Sequence, residues 1–152
     1  FINYISSVKP NYVCLMGTGI VSQKTLTKLK NYRFLNIHSS DPNIFRGQPP
    51  FFWEIFHDYD SYSLTIHDVV KDLDAGRILN QKNFKIPIKK NIFQTLNCIE
   101  KKSLLEIGEL YKNTLIKLKS RNIKYVNNEI GKLKTIPRID VIIKALLKNY
   151  AK

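Results

Sequence analysis

Acidic side chains are scarce: the 152 residues carry 12 Asp or Glu against 25 Lys or Arg, a formal net charge of +13 at pH 7. Cysteine is scarcer, with Cys14 and Cys98 alone. They form no CxxC pair and lie near no histidine cluster, so neither a disulfide framework nor a zinc site is indicated. No apolar run approaches the roughly 18 residues of a membrane-spanning helix, and no charged-then-apolar leader opens the chain. The expectation is a soluble, cytoplasmic protein without a membrane partner. Internal repeats and low-complexity linkers are also absent. What is present is a 43% hydrophobic content, enough for one domain with a buried core and too little chain for two ordinary ones. The opening residues Phe1 to Ile5 read as the end of an apolar helix, so further sequence is expected upstream of them.

The excess charge is unevenly placed. Residues 1–87 hold ten basic against seven acidic side chains, and residues 88–152 hold fifteen against five. A basic excess of this size suits a polyanion. Here, however, the lysines follow helical patterns without stacking aromatics between them, which favours a solvated helix face over a nucleic-acid surface.

Apolar periodicity alternates between strand and helix. Tyr12 to Met16 is a short buried strand closed by Gly17-Thr18-Gly19, and Ser22 caps a helix from Gln23 to Lys30. Phe34 to His38 is a second strand, followed by a Ser, Asp, Pro and Gly loop as far as Pro50. Phe51 to His57 reads as a helix with an aromatic face, Ser63 to Val70 as a strand, and Arg77 to Ile88 as extended. Beyond these, Ser103 to Leu118 places Leu104, Ile107, Tyr111, Leu115 and Leu118 on one helical stripe. Asn127 to Gly131 reads as a turn, and Arg138 to Tyr150 as a terminal helix. The succession predicts an α/β sheet with helices on its faces.

Chemistry concentrates on the second strand. Asn36 and His38 are two apart and so share a face near its carboxyl end, where open α/β sheets place their sites. Such a pair can equally finish a strand by satisfying loop backbone. The surrounding segments decide between the two. Leu35-Asn36-Ile37-His38-Ser39-Ser40, then Phe45-Arg46-Gly47, then Leu73-Asp74-Ala75-Gly76 closely resemble the signature of the folate-dependent formyltransferases. That family includes enzymes acting on methionyl-tRNA, glycinamide ribonucleotide and sugar nucleotides. Several separated elements agree in order and spacing over roughly residues 10 to 120.

The resemblance implies a Rossmann-like open sheet lacking its first strands, with a catalytic domain over residues 1–120 and a basic helical tail over 121–152. It implies transfer of a formyl group from 10-formyltetrahydrofolate to a primary amine, with no metal. An amine attacking a formyl carbon develops an oxyanion and a cationic nitrogen. By resemblance, Asn36 hydrogen-bonds the formyl oxygen, His38 supports the negative charge, and Asp74 raises the His38 pKa and positions a proton-carrying water. The pteridine is expected against Leu15, Met16, Gly17, Gly19, Ile20 and Val21 and the backbone near Val70 and Leu73. Without the resemblance, that glycine loop is simply a strand-to-helix turn and Asp74 a turn residue. His67 sits near this pocket on its strand, and His57 matches no motif.

One loop departs from the family pattern, with Asp41-Pro42-Asn43 where Leu-Leu-Pro is usual. The acceptor expected from the Arg46-Gly47 loop and the Thr65-Ile66-His67 strand is an amino sugar nucleotide. Methionyl-tRNA, glycinamide ribonucleotide, and a non-catalytic role through the basic tail are the alternatives.

Overall fold

The computed structural model describes residues 1–87, 89–125 and 129–148. A short helix α1 (Ile2–Val8) leads into strand β1 (Tyr12–Leu15), helix α2 (Gln23–Lys28) and strand β2 (Arg33–His38). Strand β3 (Phe45–Gly47), helix α3 (Phe52–Phe56), and the long strands β4 (Ser61–Asp68) and β5 (Ile78–Lys85) follow. Helix α4 (Ile92–Lys119), strand β6 (Lys132–Lys134) and helix α5 (Ile139–Leu147) complete the order.

The main sheet has four strands in the order β1-β2-β4-β5. β1 and β2 are parallel, whereas β2–β4 and β4–β5 are antiparallel. This mixed sheet with helices packed on it is the expected α/β architecture. β2 and β4 are its inner strands and are covered on both faces. Phe34, Leu35 and Ile37 of β2 and Tyr62, Leu64 and Ile66 of β4 are all buried, and so are Ser63, Thr65 and His67 on the other face of β4, whose sequence alternates between apolar and polar residues. Each of the apolar side chains contributes about 1.5–3 kcal/mol of transfer free energy.

Caps set the helix starts. The Ser22 hydroxyl accepts the Thr25 N–H at 3.2 Å, and the Asn91 side chain accepts the Gln94 N–H at 3.0 Å. α4 runs 28 residues, starting well before the expected Ser103. Its buried stripe is Ile92, Thr95, Ile99, Ser103, Leu110 and Thr114, while Leu104 is 64% exposed. The expected Ile107, Tyr111, Leu115 and Leu118 do pack, partly buried, against the core, and Leu104 alone of that stripe points away, because Ser103 occupies the buried position beside it. Thr114 donates to the Leu110 carbonyl at 2.7 Å and accepts from Asn80 at 3.1 Å. Tyr111 on the same helix donates to the Leu15 carbonyl at 2.5 Å, tying α4 to the end of β1.

A second, two-stranded sheet pairs β3 with β6 in parallel, Gly47 opposite Lys134. β3 stands inside the segment expected as a loop, and β6 directly after the expected turn, in a stretch to which the sequence assigned no element. The ends of two expected elements, Ile88 and Asn149-Tyr150, and the Asn127-Asn128 part of the expected turn lie outside the described residues. Among the described residues, no helix is long and apolar enough to cross a membrane, and no group of three or more His, Cys, Asp or Glu could hold a metal ion.

Candidate active site

Strand register assembles the site. Asn36 on β2 lies directly across from His67 on β4, and His38 across from Thr65. The β4–β5 ladder slips between Ile66 and His67, and the His67 ring is 2% exposed. Asp74 arrives on the loop after β4 with φ of 50°, a left-handed conformation that Asp tolerates better than most residues. Two residues on, a Cβ at Gly76 would stand 1.6 Å from the Asp68 carbonyl oxygen, so only glycine lets the loop close against the end of β4.

The Asp74 carboxylate is the hub. Its Oδ2 accepts the Gly47 N–H at 3.0 Å and lies 3.4 Å from His38 Nδ1. Its Oδ1 lies 3.5 Å from both His67 Nε2 and Asn36 Nδ2. Gly47 has φ of 92°, and a Cβ there would meet the Lys134 carbonyl oxygen at 2.2 Å, so the donor amide depends on a glycine pressed against β6. Arg46 staples the same region, donating from Nη1 to the Leu73 carbonyl and from Nε to the Gly131 carbonyl, both at 3.0 Å.

His38 is oriented from behind. Its Nε2 lies 3.2 Å from the Phe45 carbonyl oxygen, which can only accept, so Nε2 carries the hydrogen. Nδ1 then faces Asp74, and the two can share a single proton. Burial pulls the His38 pKa below its ordinary value and outweighs the opposite pull of Asp74. Asp74 thus raises the His38 pKa as expected, but the net direction is downward. Burial pushes Asp74 up, yet the polar groups around it, the Gly47 amide among them, hold it below the usual carboxylate range. The resting pair is a neutral imidazole beside a carboxylate.

Both shifts carry the same sign for stability. A histidine whose folded pKa lies below its unfolded one stabilises fully above the ordinary value of 6.5 and loses that contribution as pH falls below it. A depressed Asp74 contributes above 3.8 and loses its share as pH falls through its lower folded value. Buried Glu54, which accepts from the Ser40 hydroxyl, has a raised pKa through burial and works the opposite way at acid pH. The melting temperature should therefore drop between pH 7.5 and 5.5, and a His38→Gln variant should show a flatter profile in the same thermal melts.

Beside this cluster opens a cavity of about 330 Å³. Asn36, His38, His67 and Asp74 form part of its wall, and Leu15, Gly17, Gly19, Ile20, Val21, Val70 and Leu73 another part. Met16 does not line it. Strand alternation turns Leu15 inward and leaves Met16 55% exposed. Thr18, Lys71 and Asp72, which lie within the segments expected to hold the pteridine, line the cavity too, and Val69 just before them is an addition. Gly47, Gln48 and Pro50 also line it; they come from the loop in which Arg46-Gly47 resembles the family signature.

Known proteins resemble this chain in sequence and in fold. The chain is 26% identical over 138 residues to the methionyl-tRNA formyltransferase of Thermotoga maritima, covering 91% of this chain and 43% of that protein. It therefore spans less than half the length of that curated relative. HypX from Aquifex aeolicus, in complex with tetrahydrofolic acid, superposes with a TM-score of 0.71 at 15% identity, over 92% of this chain and 24% of that one. The formyltransferase PseJ from Anoxybacillus kamchatkensis, in complex with UDP-4,6-dideoxy-4-formamido-L-AltNAc and tetrahydrofolate, gives 0.64 at 18% identity, over 82% and 64%. At these identities the superpositions speak for the fold. The formyl transferase family profile matches residues 1–105, and the chain belongs to that family.

Proposed function

We propose that this chain carries the site of a formyltransferase, in which Asn36, His38 and Asp74 move a formyl group from 10-formyltetrahydrofolate to a primary amine. The observation that carries this reading is the convergence of the three side chains on one wall of the 330 Å³ cavity. The cavity is at the small end of the range for organic ligands, which is about 300–1,000 Å³, and suits a flat bicyclic ring. Its apolar side chains and its glycine loop offer a wall and backbone hydrogen-bonding groups, the means by which a pteridine is read.

The folate supplies the formyl carbon bound to N10. A bond forms from the acceptor nitrogen to that carbon, and the carbon–N10 bond breaks. The protein's task is to hold the formyl oxygen as it gains charge and to carry one proton from the amine to N10. An N–H of Asn36 serves the oxygen. The His38–Asp74 pair has room for one proton between Nδ1 and Oδ2, so it can receive and return the proton without a net change.

For the acceptor, an amino sugar nucleotide is supported by PseJ, a formyltransferase of this fold whose complex holds a formamido sugar nucleotide. A methionyl-tRNA acceptor is the second reading. It is favoured by the curated relative from Thermotoga maritima and by a cationic, aromatic surface beside β3. There Lys134 Nζ lies 4.2 Å from the Trp53 ring centroid and 3.3 Å from His57 Nε2, and Lys132 is close by. Burial lowers the His57 pKa, and Lys134, Lys148 and Lys132 add to that.

Calorimetric titration with 5-formyltetrahydrofolate should give saturable binding, weakened about tenfold or more in Asn36→Ala, the cost of about one hydrogen bond to a charged or polar partner. Absence of heat from folded protein would eliminate the enzyme reading in favour of a non-catalytic role. Between acceptors, RNA binding should weaken steeply with salt and transfer to a UDP amino sugar should not.

A further inference from the structure

His67 makes contacts that the three-residue mechanism does not use. Its Nδ1 lies 2.8 Å from the carbonyl oxygen of Asp68, the next residue, and a carbonyl can only accept. The neutral ring therefore carries its hydrogen on Nδ1, leaving Nε2 as a bare acceptor. That nitrogen lies 3.3 Å from Asn36 Nδ2 and 3.5 Å from Asp74 Oδ1.

The consequence falls on Asn36. A side-chain amide can rotate by half a turn, exchanging its oxygen and nitrogen with little change of shape. In one orientation Nδ2 donates to His67 Nε2 and points its other hydrogen outward from that bond. In the other, the amide oxygen would face a ring lone pair and a carboxylate together. Asp74 opposes the wrong orientation too, but its Oδ2 is engaged by Gly47 and His38 and its Oδ1 lies at the outer limit of hydrogen bonding from Asn36. The shorter contact is with His67. That ring is held by the Asp68 carbonyl, the strand register and near-complete burial, so water does not compete for Nε2.

We propose that His67 is a positioning residue: as the neutral Nδ1–H tautomer it accepts from Asn36 and locks that amide with its nitrogen toward the catalytic cluster. The functional consequence rests on the reading of Asn36 as the donor to the formyl oxygen. A donor left free to rotate presents its oxygen to the formyl oxygen part of the time, and transfer slows without a matching loss of folate binding.

Two measurements on the full chain test this separately. Nitrogen-15 NMR of the imidazoles at neutral pH should show His67 with Nδ1 protonated and Nε2 bare, and the Asn36 side-chain amide signals should move in His67→Met. Neither observation depends on any enzymatic activity. A protonated Nε2, or Asn36 signals unmoved by the substitution, overturns the proposal. In steady-state assays His67→Met should lower kcat about 30- to 100-fold with the folate KM within about threefold. His67→Gln, which can place an amide oxygen toward Asn36, should recover most of the rate. Equal losses in Met and Gln, or a loss confined to KM, also overturn it. If wild-type protein transfers no formyl group to any amine, the proposed function fails while the NMR result still decides the role of His67.

Discussion

Formyl transfer by an Asp74→Asn variant should fall by about a thousandfold, within the range expected for removing a positioned proton-transfer group. The substitution preserves size and leaves an amide oxygen able to accept the Gly47 N–H, so the cavity and the folate titration should survive. What disappears is the charge 3.4 Å from His38 Nδ1. Without it an imidazolium formed at buried His38 has no counterion, and the proton released by the amine has no shared resting place. Assaying transfer beside 5-formyltetrahydrofolate binding separates the two effects. Turnover equal to wild type would refute the proton-carrying pair, and loss of folate binding together with turnover would move Asp74 from chemistry to architecture.

The largest stability effect should come from Gly76→Ala. A Cβ there would lie 1.6 Å from the Asp68 carbonyl oxygen and 2.5 Å from its carbonyl carbon, both backbone atoms at the end of an inner strand. Backbone cannot swing aside as a flexible side chain can. Either β4 shifts, breaking its register with β2 and β5, or the loop that delivers Asp74 lifts away. The expected destabilisation is about 3 kcal/mol, the upper part of the range for overpacking. For a domain of this size that lowers the melting temperature by roughly 10 °C. A melting curve superimposable on wild type would show that the loop relaxes without cost. Folate affinity should fall in parallel, because Val70 and Leu73 on the same loop line the cavity.

Much of this site could be read from the chain. A period of two puts Asn36 and His38 on a common face, but their role, like that of Asp74, is legible only through the resemblance to the formyltransferase signature. The strands of the main sheet are legible to within a few residues, from the short apolar runs of β1 and β2 and from the polar/apolar alternation of β4. β3 and β6 leave no such signal. Phe45-Arg46-Gly47 and Lys132-Leu133-Lys134 are too short for a pattern, and their pairing is a fact about two distant segments rather than about either one. Leu104 was misassigned because hydropathy favours a leucine over the neighbouring serine, and only the crossing of α4 over the sheet shows that Ser103 is the buried one. The His38 pKa could not be signed from sequence either. An adjacent carboxylate is visible in a motif, but the depth of burial that overrides it is not. Nor does the sequence reveal the part His67 plays, since that depends on a tautomer set by the next residue's carbonyl.

The β3–β6 pairing also bears on how the protein comes into being. Arg46 bonds to Gly131, 85 residues further along the chain, and the amide that holds Asp74 sits on the strand that β6 presses into place. At synthesis rates of about 5–20 residues per second, that separation corresponds to roughly 4–17 seconds. Throughout that interval the nascent chain carries Asn36, His38 and in due course Asp74 without the strand that sets their spacing. The main sheet can collapse early, from contacts closer in sequence, but the reactive geometry waits for β6. A ribosome stalled before β6 has emerged would display a folded sheet with an unfinished site.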